Sequence, residues 1–139
     1  MEKINFTNGQ APSLNGTNLN QLQANVESAI AEMIESGSNA NGKYIKYSDG
    51  TMICSHNLST VTVNTTYHYT NVTWAYPVAF KETPYVVATP FNWNICMCAV
   101  KVNPGATNCA IMVNMLNLYD MSRVDETTPV NIIAIGKWK

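Results

Sequence analysis

The sequence predicts a mainly β protein: an N-terminal helical neck, then an antiparallel β-sandwich of about seven to eight strands, with copies of the chain associating. Three observations lead there. Apolar residues recur at helical spacing before residue 37 and with period two after it. Turn residues such as Ser48-Asp49-Gly50 and Asn103-Pro104-Gly105 punctuate the second region. From Gly50 to Tyr119 the only charged residues are Lys81, Glu82 and Lys101, which is very little charge for a surface that keeps a lone protomer soluble.

Residues 1–17 are polar and broken by Asn8-Gly9, Ala11-Pro12 and Asn15-Gly16, an extended lead-in anchored by Ile4, Phe6 and Leu14. A helix follows. Asn18 suits the N-cap, with Gln21 placed to close a capping box. Leu19, Leu22, Val26, Ala29 or Ile30, and Met33 then recur in steps of three and four, and Gly37 stands where a C′ glycine would end the helix. This seam is too short to be stable alone but suits packing between parallel copies. The same face could instead fold back on its own domain. Residues 1–40 are accordingly read as lead-in and oligomerising helix, carried by Leu19, Leu22, Val26, Ile30 and Met33, and residues 41–139 as the sandwich.

The expected strands are Lys43–Tyr47, Thr51–His56, Thr60–Asn64, Tyr67–Trp74, Tyr85–Thr89, Ile95–Val102, Cys109–Met115 and Val130–Ile135. Gly50 closes the first hairpin at a position that needs a positive φ. Ile95–Val102 is apolar on both faces until Lys101. Burial of both faces calls for a second layer, either the chain's own helix or a neighbouring subunit.

Composition narrows the function. The 139 residues carry a net charge of −1, and only 12% are charged, while 18 Asn, 14 Thr and 8 Ser supply the polarity. No basic surplus exists to neutralise phosphates, which argues against nucleic acid as partner. No apolar run is long enough to span a bilayer, and Met1–Phe6 lacks the basic-then-apolar pattern of a secretory signal. The four cysteines, Cys54, Cys96, Cys98 and Cys109, are then expected as reduced thiols. Two readings of the missing charge compete. Thr and Asn either solvate the outer faces of a monomer, or much of the surface meets other copies of the chain, where charge is depleted.

Catalytic constellations are hard to find. Cys96 and Cys98 share a strand face, but a single Cys-x-Cys in an apolar strand is not zinc-knuckle spacing, and His56 and His68 are too far apart for a clamp. No Gly-x-Ser-x-Gly elbow accompanies them. Of the carboxylates Asp49, Glu82, Asp120, Asp125 and Glu126, three sit beside Arg123 in one loop, where solvated ion pairs explain them. No phosphate-cradling glycine loop is present. The expectation is a non-enzymatic protein without cofactor or metal. Aromatic residues beside amides remain. Tyr67 and Tyr69 fit cross-strand packing. Phe91, Asn92, Trp93 and Asn94, with Tyr119, Asp120 and Arg123 next, offer the ring stacking and uncharged hydrogen bonding that sugars need.

Several segments resemble a known family. Tyr76-Pro77-Val78-Ala79-Phe80 followed by Thr83-Pro84-Tyr85-Val86-Val87-Ala88-Thr89 is similar to the central motif of the C-terminal domain of phage tail-fibre proteins. Ile132-Ile133-Ala134-Ile135-Gly136-Lys137-Trp138 resembles that family's final strand, and Asn41 to Ile53 its opening hairpin. Ile4 to Pro12 and Leu14 to Asn20 are similar to lead-ins of phage and prophage tail-tip proteins. The resemblance implies a homotrimeric distal tail component with an H-type-lectin-like sandwich that binds host cell-surface carbohydrate non-covalently. Such a protein is made in the bacterial cytoplasm, resides at the virion's tail tip, and has other tail or baseplate proteins as partners, without nucleic acid or membrane insertion. The chain lacks shaft repeats, which leaves room for an assembly component without its own ligand. A cell-wall glycan hydrolase with a cleft between chains is a further alternative.

Overall fold

The computed structural model describes residues 16–63, 66, 69–92, 94–101, 104–122 and 126–139, the side chains of Glu32 and Met33 excepted. The expected lead-in over residues 1–15 lies outside these described residues. Among the described residues, one helix and eight strands in two antiparallel sheets make the protein mainly β. The chain divides into two compact units between Glu35 and Ser36. Among the described residues, no helix is long and apolar enough to cross a membrane.

Helix α1 spans Gly16–Met33. It begins two residues before the expected cap, which places Asn18 inside the first turn. Gln23 Nε2 donates to Glu27 Oε1 one turn on, at 2.8 Å. Along the apolar seam, Leu19, Leu22, Val26 and Ile30 are 50%, 52%, 49% and 62% exposed.

The expected helix end at Gly37 is not what forms. The strands are β1 (Ile34–Asn39), β2 (Gly42–Tyr47), β3 (Thr51–Val63), β4 (Thr70–Ala75), β5 (Tyr85–Pro90), β6 (Ile95–Val100), β7 (Asn108–Leu116) and β8 (Glu126–Lys137). Gly37 thus lies within β1, and Ala40-Asn41 makes the tight turn into β2. A C′ glycine needs a left-handed backbone, yet among the described residues only Gly42, Gly50 and Met121 have positive φ. Gly37 serves packing instead. A Cβ there would come within 2.7 Å of the Tyr44 hydroxyl oxygen, so the glycine makes room for that ring on the neighbouring strand. The next glycine supplies the turn: Gly42, at φ 124°, carries the chain from Ala40-Asn41 into β2.

One sheet has the order β1-β2-β3-β8-β5 and the other β4-β7-β6. Strand β3 joins two segments expected to be separate, because a register shift between Leu58 and Val61 lets pairing with β8 continue. Period-two alternation aims Met52, Cys54, Val61, Val63, Val130, Ile132 and Ala134 inward from the larger sheet. Trp74, Cys109, Ile111, Val113 and Met115 meet them from the smaller one. The hairpin reading of Ser48–Gly50 holds: Gly50 lies at φ 87° and its N–H donates to the Tyr47 carbonyl.

Strand β6 departs from expectation. It is the edge of the three-stranded sheet, with Cys96, Cys98 and Val100 packed against the core and Met97 56% exposed on the other face. Within one protomer it is therefore covered on one side only.

Candidate functional site

The rings of Trp74, Tyr76 and Phe80 are structural. Trp74 stacks on His56 with centroids 6.4 Å apart, Tyr76 meets Trp74 edge-on at 5.0 Å, and Phe80 meets Tyr76 likewise at 5.0 Å. Trp74 Nε1 donates to the Asn41 carbonyl, tying the smaller sheet to the β1–β2 turn. The Tyr76 hydroxyl is buried without a conventional hydrogen bond, beside the thiols of Cys109 and Cys54; burial, first of all, raises its pKa.

All four thiols resist ionisation. Burial pushes Cys54 and Cys98 up to about 11 and raises Cys96 and Cys109 as well. At neutral pH they are protonated, small apolar groups rather than nucleophiles. No cluster of three or more His, Cys, Asp or Glu able to hold a metal occurs among the described residues.

Of the residues singled out for ligand contact, Phe91, Asn92, Asn94, Tyr119 and Asp120 fall at one end of the sandwich. Ile95 pairs with Leu116 and Val63 with Glu126, so the β5–β6 and β7–β8 loops emerge side by side. Phe91 is 78% exposed and Tyr119 94% exposed, two aromatic faces open to solvent. The amides between them are engaged. Asn94 Nδ2 donates to Glu126 Oε2 at 2.9 Å, Asn92 Nδ2 approaches the same oxygen at 3.5 Å, and Asn92 Oδ1 accepts from the Asn94 N–H. Asp120 shapes its own turn. Hydrogen bonds from the Ser122 hydroxyl and backbone N–H hold its carboxyl below the usual range. Trp93 and Arg123 lie outside the described residues.

A different feature is more prominent. A groove of about 700 Å³ opens beside β3 where the shorter β2 ends, lined by Ser38, Lys43, Ser55, His56, Asn57 and Asn131, with Ile133 as apolar floor. Volumes of this size are typical of small-molecule sites. A second trough of about 320 Å³ shares Ser38, Lys43 and Ser55 and continues to Ile45 and Ile53. Strand register explains the assembly. Lys43 sits opposite Ser55, Ser55 opposite Ile133, and Asn57 opposite Asn131, on the outward face of the larger sheet. Gly42 shapes the rim, because a Cβ there would strike the Ser55 carbonyl and press on His56.

Asn57 Nδ2 donates to Asn131 Oδ1 at 2.7 Å. That bond fixes both amides while leaving the Asn131 NH₂ and the Asn57 carbonyl oxygen to face outward. Sequence reasoning missed this group, since 74 residues separate the two asparagines. Period-two alternation put both on strands, but only the β3–β8 register makes them neighbours.

No protein-family model matches the chain, and no curated protein matches it. The fold class and the local chemistry therefore carry the functional argument: an antiparallel β-sandwich whose outer surface offers uncharged hydrogen-bonding groups and open aromatic rings.

Proposed function

We propose that this protein is a homotrimeric receptor-binding tip protein of a phage tail that binds host cell-surface carbohydrate non-covalently and has no enzymatic activity. One observation carries the reading: the apolar seam of α1, at coiled-coil spacing, is about half exposed in the single chain. A lone amphipathic helix of 18 residues is marginal in water, and parallel association of three copies covers it. The outer face of the larger sheet gives further support. Ile45, Ile53, Ile135 and Tyr85 form one row across its Ser48–Gly50 end, and Tyr85 is 86% exposed. Such a stripe calls for cover by sister copies. The tail-fibre-like motifs supply the phage context, and the open Phe91 and Tyr119 rings beside amides suit sugar contact.

Assembly and binding are separately testable. Sedimentation at micromolar concentration should give a trimer, and labelled protein should adhere to host cells in a manner blocked by purified surface glycan. A single protomer in solution, or adhesion indifferent to glycan, removes the reading. One observation favours an assembly component without its own ligand: the Asn92 and Asn94 amides are tied to Glu126. Such a protein would co-assemble with other tail components yet leave host cells unlabelled.

A further inference from the structure

We infer that the groove beside β3 is the protein's saccharide subsite for an anion-bearing sugar, with Lys43 answering the carboxylate or phosphate. The inference rests on the carbohydrate-binding reading and gives it a location and a ligand charge.

The groove's polar groups are unspent. Lys43 Nζ and the hydroxyls of Ser38 and Ser55 have no hydrogen-bond or ion-pair partner among the described residues, and the Asn57–Asn131 pair bonds only to itself. Nothing within the fold requires a lysine, two hydroxyls and a preset amide pair to converge on one concavity. Together they offer a cation, rotatable hydroxyls and an amide donor and acceptor facing the same space. Ile133 provides the apolar contact that the C–H face of a pyranose needs. The lining includes no carboxylate, so Lys43 is the sole fixed charge in the groove and sets its preference for an anionic substituent.

Register also links the groove to the loop end. Asn131 pairs with Thr89 and Val130 with Pro90, and the Phe91 N–H donates to the Pro129 carbonyl. Phe91 thus lies one row of the sheet beyond the amide pair, about 7 Å along the strands. That span is close to the length of one sugar unit. A glycan chain seated with its acidic unit at Lys43 and its next units over the amides reaches the open Phe91 ring.

The test is calorimetric titration of the full-length assembled protein with three probes: an oligogalacturonate, a glycerol-phosphate oligomer and a neutral galactose oligosaccharide. An anionic probe should bind at least roughly tenfold more tightly than the neutral one, as a charge-assisted hydrogen bond implies. Lys43→Met should abolish that preference while leaving neutral binding intact, and Lys43→Arg should restore it. Asn131→Leu should weaken every probe. Both positions are exposed, so unchanged thermal melting will show that the variants fold. Binding of oligogalacturonate alone assigns a carboxylate, and binding of glycerol phosphate alone a phosphate. Wild-type affinity in both Lys43→Met and Asn131→Leu overturns the groove assignment. If Phe91→Ala alone then loses binding, the carbohydrate reading survives without it, whereas failure of all probes and of host-cell adhesion together removes both.

Discussion

Replacing Leu22 and Val26 together by alanine should dissociate the protein without unfolding its sandwich. Both side chains are about half exposed in the single chain, so assembly has that half left to bury. Full burial of a Leu or Val is worth about 1.5–3 kcal/mol, and the remaining half therefore about 1 kcal/mol per side chain. With two side chains truncated in each of three subunits, the trimer loses about 6 kcal/mol, roughly a 10⁴-fold drop in its formation constant. The half-dissociation concentration depends on the square root of that constant, so it should rise about a hundredfold. Alanine is the best helix former, so any loss of assembly cannot be blamed on a weakened helix. Sedimentation velocity over a dilution series reads the shift directly, with far-ultraviolet circular dichroism as control. If the double variant and the parent dissociate at the same concentration, the seam is not an interface and the helical-neck argument is wrong.

Three further outcomes follow from the sandwich itself. Gly42→Ala should cost about 2–4 kcal/mol, because it combines a φ of 124° with a Cβ driven into the Ser55 carbonyl; a thermal melt should fall by about 8 °C or more. Stability should decline between about pH 9 and pH 11, where the unfolded chain ionises thiols that the fold keeps protonated, Cys54 and Cys98 up to about 11. The sign follows from these raised values: the contribution is whole below pH 9 and disappears as pH climbs through the folded-state value. Cys54→Ala should flatten that alkaline slope in pH-dependent denaturation, and an unchanged slope would refute the assignment. Phe91→Ala should weaken host-cell adhesion by about 1–3 kcal/mol, the scale of truncating an aromatic side chain within an interface. Its melting temperature should stay unchanged, since the ring is 78% exposed.

What was legible in the sequence was periodicity. Alternation in Asn108–Leu116 and Val130–Ile135 announces strands with one buried face, and the structure buries Cys109, Ile111, Val113 and Met115 as that pattern requires. Glycine was legible where backbone sterics decide, at Gly50, and illegible where packing decides. Gly37 carries no local mark distinguishing a helix stop from a strand position beneath a tyrosine ring. β1 was missed for the same reason: Ile34-Glu35-Ser36-Gly37-Ser38-Asn39 has no alternation, and pairing with β2 makes it a strand. Register lies deeper still. The amide pair of Asn57 and Asn131 exists because β3 and β8 align Leu58 with Val130, which depends on the bulge farther along β3 and on the whole inner face.

The outer face of the larger sheet brings the two halves of the functional reading together. Toward the Ser48–Gly50 end its rows are aliphatic, from Ile45 through Ile53 and Ile135 to Tyr85; two rows on they become Asn57, Asn131 and Thr89. The chain enters β1 at the aliphatic end, because the β1–β2 turn lies at Ala40-Asn41. In the proposed trimer, chains held together through their N-terminal helices would meet at a high effective concentration, so even an interface too small to hold two free protomers could form. The amide rows, farther from that junction, stay open to solvent. A face uniformly aliphatic would be buried and useless for recognition, and a uniformly polar one would give sister copies nothing to hold. On the proposed trimeric, sugar-binding reading, this change of character lets one surface serve both tasks, and that reading requires that Ile135→Asp break assembly while Thr89→Asp leave the trimer whole.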